Sequence, residues 1–304
     1  MPAPTTPRVA AAAGSVTSSP ASADHPADRL AAAIEALDTP ACVGLDPVLS
    51  KLPQVLGDLA PVEAIRRFCE GVVDAVAGKV PVVKLQSACF ERHGAAGFEL
   101  LGEIATRARA RGLVVILDAK RGDIGVSAEH YAEAARTLGG EWVTVNGYFG
   151  PECLAPFRRG GGAFALVRTS NPDGDLVQHL QLADGRSVAE AMADLVATAG
   201  ASSVGSCGFS DLGAVVGATR PHDAAALRAR MPQQFFLVPG YGAQGGSIED
   251  VRPCFTADGR GALVTASRSV IYAFDRAAEH WADQVAEAAD SFAGELRTAF
   301  GTRS

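Results

Sequence analysis

Two carboxylates and two cations are crowded into six positions directly after an apolar run: Asp118, Lys120, Arg121 and Asp123. Desolvating charge is costly unless the charges are paired or take part in chemistry. Residues two apart on an extended segment share a face, so Asp118 and Lys120 are predicted to lie side by side. This pattern suits proton transfer by Lys120, with the carboxylates orienting its ammonium group and keeping it charged. A strand-end aspartate that caps the next helix, with both cations solvated, is the structural alternative.

Two earlier charges extend the pattern. Asp46 ends the first apolar run of the chain, and Lys84 lies near the end of the second. Either residue alone is typical of a turn or of a solvated surface. Together with Asp118 and Lys120 they predict a row of alternating carboxylate and ammonium groups across adjacent strands.

The elements that position these residues are short apolar runs separated by Ala-rich amphipathic stretches. The runs lie at 41–46, 80–86, 113–120, 142–146, 163–169, 212–219, 235–240 and 262–267. The helix candidates lie at 62–76, 96–111, 126–138, 188–200, 224–231 and 270–300. Continuous hydrophobicity is typical of parallel strands buried on both faces. Eight strand–helix repeats over about 260 residues predict a (β/α)₈ TIM barrel, with a doubly wound open sheet as the alternative.

The composition indicates one globular domain at 29–304, preceded by a tail. Residues 1–28 are rich in Ala, Pro, Ser and Thr and predict a disordered segment rather than a signal peptide. A net charge of −7 disfavours nucleic acid or an anionic membrane as the main partner. The 6 cysteines form no C-x-x-C pair, which is typical of reduced cytoplasmic thiols. No apolar stretch approaches the ~18 residues of a membrane span, and the histidines show no zinc-binding spacing.

A glycine-rich loop follows the seventh run. Gly240, Gly242 and Gly245 match G-x-G-x-x-G, but a dinucleotide-binding unit needs an acidic residue at the next strand end. Asp258 falls before the next strand instead, so we reject that interpretation. We expect an anion cradle in which Arg268, after the eighth run, binds the same phosphate.

The motif D-A-K-R-G-D-I at 118–124 resembles the signature of the orotidine 5′-phosphate decarboxylases. Further motifs narrow the resemblance to the longer, bacterial type 2 subfamily. They are C-V-G-L-D-P at 42–47, V-K-L-Q-S at 83–87, R-T-S-N-P at 168–172, V-V-G-A-T at 215–219 and P-G-Y-G-A-Q-G at 239–245. They run in order from about residue 40 to about residue 275 and so cover nearly the whole body of the chain.

The resemblance implies a carboxy-lyase that converts orotidine 5′-monophosphate to UMP and CO₂ in de novo pyrimidine biosynthesis. It implies that Lys120 protonates C6 of the pyrimidine while Asp118 faces the substrate carboxylate. Asp123 would reach the partner subunit's site, which implies a homodimer. Asp46 and Lys84 would hold the ribose.

The remaining implied contacts are to the base and the phosphate. Ser170 would contact the pyrimidine ring, and Gln244 and Arg268 would bind the phosphate. The resemblance implies a cytoplasmic enzyme that uses no metal or organic cofactor. One departure is the Asn146-Gly147-Tyr148 segment, where the family pattern has a proline in the middle position.

Three other functions remain open at this point. A metal-dependent sugar-phosphate synthase or decarboxylase shares the D-x-K-x-x-D core but needs a further carboxylate for magnesium. A Schiff-base aldolase would use Lys84 or Lys120 as its nucleophile. A non-catalytic barrel that binds a phosphate ligand is disfavoured by the complete set of Asp118, Lys120 and Asp123.

Overall fold

The computed structural model describes residues 25–218, 221–242 and 245–301. Eight parallel strands close into a barrel in sequence order, which confirms the predicted barrel and excludes the open sheet. The strands are β1 Ala41–Leu45, β2 Val82–Gln86, β3 Val114–Arg121, β4 Trp142–Val145, β5 Gly162–Arg168, β6 Leu212–Val216, β7 Phe236–Pro239 and β8 Ala262–Ala266. Each strand lies within its predicted run to within one residue.

Helices surround the barrel. They are α1 Pro26–Leu37, α2 Pro61–Val76, α3 Ser87–Glu91, α4 Gly94–Ala110, α5 Gly125–Thr137, α6 Ala155–Arg158, α7 Asp175–Gln178, α8 Val188–Gly200, α9 Pro221–Arg230, α10 Ile248–Val251, α11 Arg268–Ile271 and α12 Trp281–Phe300. Short 3₁₀ turns occupy Leu49–Lys51, Gln54–Leu56, Gly147–Phe149, Pro151–Cys153, Pro172–Gly174 and Arg252–Cys254. No helix in the described ranges is both long and apolar enough to span a membrane.

The prediction of a single C-terminal helix at 270–300 was wrong, because this segment forms the two helices α11 and α12. The chain leaves helical geometry between α11 and α12, where side chains take over backbone hydrogen bonds. The Asp275 carboxylate accepts the Ala277 amide at 2.9 Å, and Gln284 accepts the Asp275 amide at 2.8 Å. Phe274 packs against Trp281 in the same connection.

The predicted tail boundary at residue 28 also differs from the structure, because α1 begins at Pro26. His25 caps this helix by accepting the Ala27 amide, and proline suits the first helical position. The Asp28 carboxylate accepts the backbone amides of Ser206 and Cys207, which fastens α1 to the barrel. The rest of the predicted tail, residues 1–24, lies outside the described residues.

Buried side chains alternate between two clusters along each strand. Val82 belongs to a cluster inside the barrel, and its neighbour Val83 belongs to the shell between the strands and the helices. Leu30 of α1 joins the inner cluster and closes the N-terminal end of the barrel. The alternation has period two, so Lys84 on β2 and Asp118 on β3 point inward at the opposite end.

Candidate active site

A cavity of about 270 Å³ opens where the strands end in their C-terminal direction. Polar inward side chains from β2, β3, β4 and β8 form one wall: Lys84, Asp118, Thr144 and Thr265. Apolar side chains from β5, β6 and β7 form the opposite wall: Leu166, Val215 and Leu237. The cavity therefore suits a small ligand with an apolar face and a charged or reacting group on one side.

The predicted charge row is present along the polar wall. Lys84 Nζ donates to Asp118 Oδ2 at 2.7 Å, and Lys120 Nζ donates to Asp118 Oδ1 at 2.6 Å. Lys84 Nζ also lies 3.7 Å from Asp46 Oδ1, an ion-pair distance. Both ammonium groups therefore converge on one carboxylate, and Asp46 extends the row at its other end.

The two central members of the row are buried: Lys84 is 5% exposed and Asp118 is 8% exposed. Burial by itself would raise the pKa of Asp118, but Lys84 and Lys120 outweigh it and hold that pKa well below its usual range. Burial would lower the pKa of Lys84, but Asp46 and Asp118 outweigh it and raise that pKa. Both residues are therefore charged at neutral pH.

Lys120 has an unusual backbone conformation. Its φ is +47°, in the left-handed region that side-chain-bearing residues rarely adopt. Its amide donates to Thr144 Oγ1 at 3.0 Å, and that hydroxyl donates to Asp118 Oδ1 at 2.8 Å. Sequence reasoning missed Thr144. The available signal was its position on β4, two residues after the inward Trp142.

Asp46 lines this cavity, and one of its carboxylate oxygens receives no hydrogen bond from the described residues. Its Oδ1 is buried and has no hydrogen-bond partner among the described residues. Its backbone is fixed by Tyr272, whose hydroxyl donates to the Asp46 carbonyl at 2.8 Å and accepts the Val48 amide at 2.8 Å. A buried carboxylate oxygen without a donor can accept a ligand hydroxyl.

Ser170 and Arg268 line the same cavity, from the ends of β5 and β8. The third predicted contact in this region, Gln244, lies outside the described residues. The structure thus brings together Asp46, Lys84, Asp118, Lys120, Ser170 and Arg268 around one opening.

The described glycines of the loop after β7 form a tight turn. The Gly242 amide donates to the Gly246 carbonyl at 2.9 Å, and the Gly245 amide donates to Gly242 at 2.8 Å. Both residues have positive φ, so the turn itself requires glycine at these two positions. The amides of Gly242 and Gly245 are therefore used within the turn, while Arg268 lines the cavity.

Two charges of the opening motif lie away from the cavity. Arg121 forms an ion pair with Glu91 and lies over the Tyr131 ring. Asp123 is half-buried, does not line the described part of the cavity, and accepts the Ile124 amide at 2.8 Å. Among the described residues, Asp123 therefore forms no hydrogen bond or ion pair with the charge row.

The turn at Asn146 departs from the family pattern but is well defined. The Asn146 side chain accepts the Tyr148 amide at 3.0 Å and so begins a 3₁₀ turn. Gly122 passes so close that a Cβ there would lie 2.9 Å from the Asn146 carbonyl oxygen. Glycine at position 122 thus permits the chain after β3 to cross the end of β4.

No group of three or more His, Cys, Asp or Glu side chains in the described ranges is arranged to hold a metal ion. What the site does hold is a buried carboxylate between two ammonium groups, beside a small cavity. A closed (β/α)₈ barrel with such a site at the C-terminal ends of its strands is typical of an enzyme whose active site works through charged side chains.

Comparison with known proteins identifies the family. The model of the orotidine 5′-phosphate decarboxylase/HUMPS family matches residues 39–281. An orotidine 5′-phosphate decarboxylase of Rhodopirellula baltica is 43% identical over 270 residues, which cover 82% of this chain and 89% of that protein. One of Deinococcus radiodurans is 43% identical over 240 residues, covering 76% and 84%. This chain belongs to the orotidine 5′-phosphate decarboxylase/HUMPS family.

The solved structures agree. The OMP decarboxylase of Leishmania donovani superposes with a TM-score of 0.73 at 30% identity, over 90% of this chain and 97% of that one. Residues 39–281, which the family model matches, contain all eight strands and the complete charge row. The finer assignment to the type 2 subfamily stays a prediction.

Proposed function

We propose that this chain decarboxylates orotidine 5′-monophosphate to UMP and CO₂, with Lys120 as the acid that protonates C6. The observation that carries the proposal is the pair of hydrogen bonds from Lys84 and Lys120 to one buried carboxylate, Asp118. The family membership supports the same reaction, a step of de novo pyrimidine biosynthesis.

The reaction breaks one carbon–carbon bond and forms one carbon–hydrogen bond. The bond from C6 to the carboxylate breaks, CO₂ leaves, and the electron pair remains on C6. Lys120 then transfers a proton from Nζ to C6 and recovers a proton from water. Its ammonium charge also stabilises the developing carbanion before the transfer. A substrate carboxylate placed beside Asp118 meets like charge, which is relieved as CO₂ leaves.

The other site residues act through binding. Asp46, with its unsatisfied Oδ1, and Lys84 suit the ribose hydroxyls, and Ser170 suits the polar edge of the pyrimidine. Arg268, together with Gln244, is proposed to bind the phosphate. Binding energy from these groups, remote from C6, holds the reacting atoms against the charge row.

We also propose that the active form is a homodimer in which Asp123 enters the partner's site. Asp123 follows β3 at the mouth of the barrel but forms no hydrogen bond or ion pair with the charge row of its own chain in the described structure. Large apolar side chains are exposed beside it on the segments after β3 and β4: Ile124 (63%), Val126, Tyr131, Tyr148 (83%) and Phe149. An apolar surface next to the site is typical of a subunit interface.

The 6 cysteines, all free thiols, support a reducing compartment, and we propose the cytoplasm.

The test is the ultraviolet absorbance change of orotidine 5′-monophosphate with purified protein and chelator present. We expect rapid turnover by the parent and a loss of roughly 10³-fold or more in Lys120→Ala, because both the proton donor and the charge are removed. Lys79→Ala is the matched control, since Lys79 precedes β2 at the opposite end of the barrel. Turnover that stops with chelator would favour the metal-dependent relatives, and folded but inactive parent protein would contradict the proposal.

A further inference from the structure

We propose that Thr144 is a positioning residue, which fixes the backbone of Lys120 and the carboxylate of Asp118 relative to each other. The inference rests on the proposed decarboxylation, since its importance lies in where Lys120 Nζ is held. Thr144 is 2% exposed and lies on β4 beneath the charge row.

The need for Thr144 arises from an irregularity in the sheet. Leu117 of β3 pairs with Val143 of β4, and Arg121 pairs with Val145. Three residues of β3 therefore stand opposite the single residue Thr144, and the regular ladder is interrupted there. The Lys120 amide is left without a backbone partner in the ladder, and the Thr144 hydroxyl accepts it at 3.0 Å.

The hydrogen bonds close a ring. The Lys120 amide donates to Thr144 Oγ1, Thr144 Oγ1 donates to Asp118 Oδ1 at 2.8 Å, and Lys120 Nζ donates to the same Oδ1 at 2.6 Å. A hydroxyl has one proton, and here it is committed to the carboxylate because its oxygen accepts from the amide. The ammonium group of Lys120 is thereby bound to Asp118 Oδ1 directly, and its backbone amide is connected to the same oxygen through the Thr144 hydroxyl.

The ring also explains how a lysine keeps the left-handed conformation. A φ of +47° is unfavourable for a residue with a Cβ and persists where the surroundings enforce it. This conformation lets Asp118 and Lys120 both face the cavity despite the interrupted ladder. Proton transfer to a carbon atom depends steeply on placement, and a displacement of about 1 Å can cost about 100-fold in rate.

The experiment compares Thr144→Val with Thr144→Ser in steady-state decarboxylation of orotidine 5′-monophosphate. Valine keeps the shape and removes the hydroxyl, so we expect kcat to fall roughly 10- to 100-fold with KM within about twofold of the parent. Serine restores the hydroxyl, so we expect kcat within about threefold of the parent. This split and this rescue would not follow from a general loss of packing.

Thr39→Val is the matched control for loss of a buried threonine hydroxyl. Thr39 is fully buried before β1 and donates to the Ala293 carbonyl at 3.0 Å, at the opposite end of the barrel. It should lose thermal stability without losing kcat. An unchanged kcat in Thr144→Val, a rise in KM alone, or a serine variant as slow as the valine variant would overturn the inference. If the parent itself did not turn over substrate, the proposed function would fail instead, so the two failures are distinguishable.

Discussion

At the scale of single residues, the charge row is held together by opposite charges that burial alone would neutralise. Asp118 stays ionised because two ammonium groups and a hydroxyl donate to its two oxygens. Lys84 is buried as deeply and stays charged because carboxylates lie on both sides of it. The site is thus charged before substrate arrives, and its electrostatic effect needs no rearrangement during the reaction.

The depressed pKa of Asp118 makes a prediction about stability. A group whose folded-state pKa lies below its unfolded value stabilises the fold above the unfolded pKa, about 3.9 for aspartate, and loses that contribution as the pH falls through the folded-state value. Asp118→Asn removes this contribution. We therefore expect the difference in unfolding free energy between parent and variant to be constant from about pH 7 to pH 5. This difference in unfolding free energy should then decrease by about 1 kcal/mol between pH 5 and pH 3.

Urea unfolding followed by circular dichroism across this pH range measures the difference. Asp290→Asn, on the exposed side of α12, is the control and should stay near the parent's stability throughout. A difference between the parent and Asp118→Asn that is the same at pH 3 and pH 7 would contradict a strongly depressed pKa.

At the scale of elements, the loop after β5 is fastened by one strand residue. Arg168, fully buried at the end of β5, forms ion pairs with Asp175 and Asp223. Gln178 Oε1 accepts both Arg168 Nη1 at 3.0 Å and the Thr169 amide at 2.9 Å. This network holds the two residues before Ser170, the residue proposed to contact the pyrimidine.

The network predicts that Gln178→Ala weakens substrate binding more than chemistry. We expect KM for orotidine 5′-monophosphate to rise roughly 3- to 10-fold with kcat changed less than threefold. The loop loses the three hydrogen bonds of the Gln178 side chain to Arg168 and Thr169, each contributing about 1 kcal/mol to holding it in place. Gln181→Ala is the control, because the only hydrogen bond of the Gln181 side chain in the described structure goes from Nε2 to the His179 carbonyl at 3.3 Å. Equal effects of the two substitutions on KM would refute a specific role for Gln178.

Most elements could be predicted from the sequence, because a strand buried on both faces has an unbroken apolar run. The five long helices from α2 to α9 lie within three residues of their predicted bounds. Helix α1 was missed although its sequence carries helix signals, a proline at the first helical position and an alanine run at 31–33, because we assigned its first residues to the tail and did not test the segment as a helix. The interrupted ladder at Thr144 also has no local signal, because a register shift is a property of two strands.

At the scale of the whole molecule, the predicted site residues divide by location. Six of them surround one cavity, because parallel strands bring their C-terminal ends to one mouth. Asp123 belongs to the same motif but lies beside exposed apolar side chains rather than in the cavity. A sequence pattern can mark such a residue as functional, whereas which subunit it serves depends on assembly.

A complementation experiment tests that assembly. In a dimer whose sites each combine Lys120 of one chain with Asp123 of the other, mixing Lys120→Ala with Asp123→Asn creates one intact site per hybrid. We expect each variant alone to be nearly inactive and the mixture, after exchange of subunits, to recover about one quarter of the parent's activity. Half of randomly paired dimers are hybrids, and each has one intact site of two.

The control mixes the Lys120→Ala variant with the Asp118→Asn variant. Both residues belong to the charge row that each chain supplies to its own site. Every site of that hybrid has a defect, so no activity should return. Recovery in the first mixture but not in the second would place Asp123 across the interface. If neither mixture recovers activity although sedimentation demonstrates dimers, Asp123 would belong to its own chain's site. If the proposed dimer forms through this surface, Ile124→Glu should dissociate it and abolish activity, because it puts a charge into the apolar surface beside Asp123.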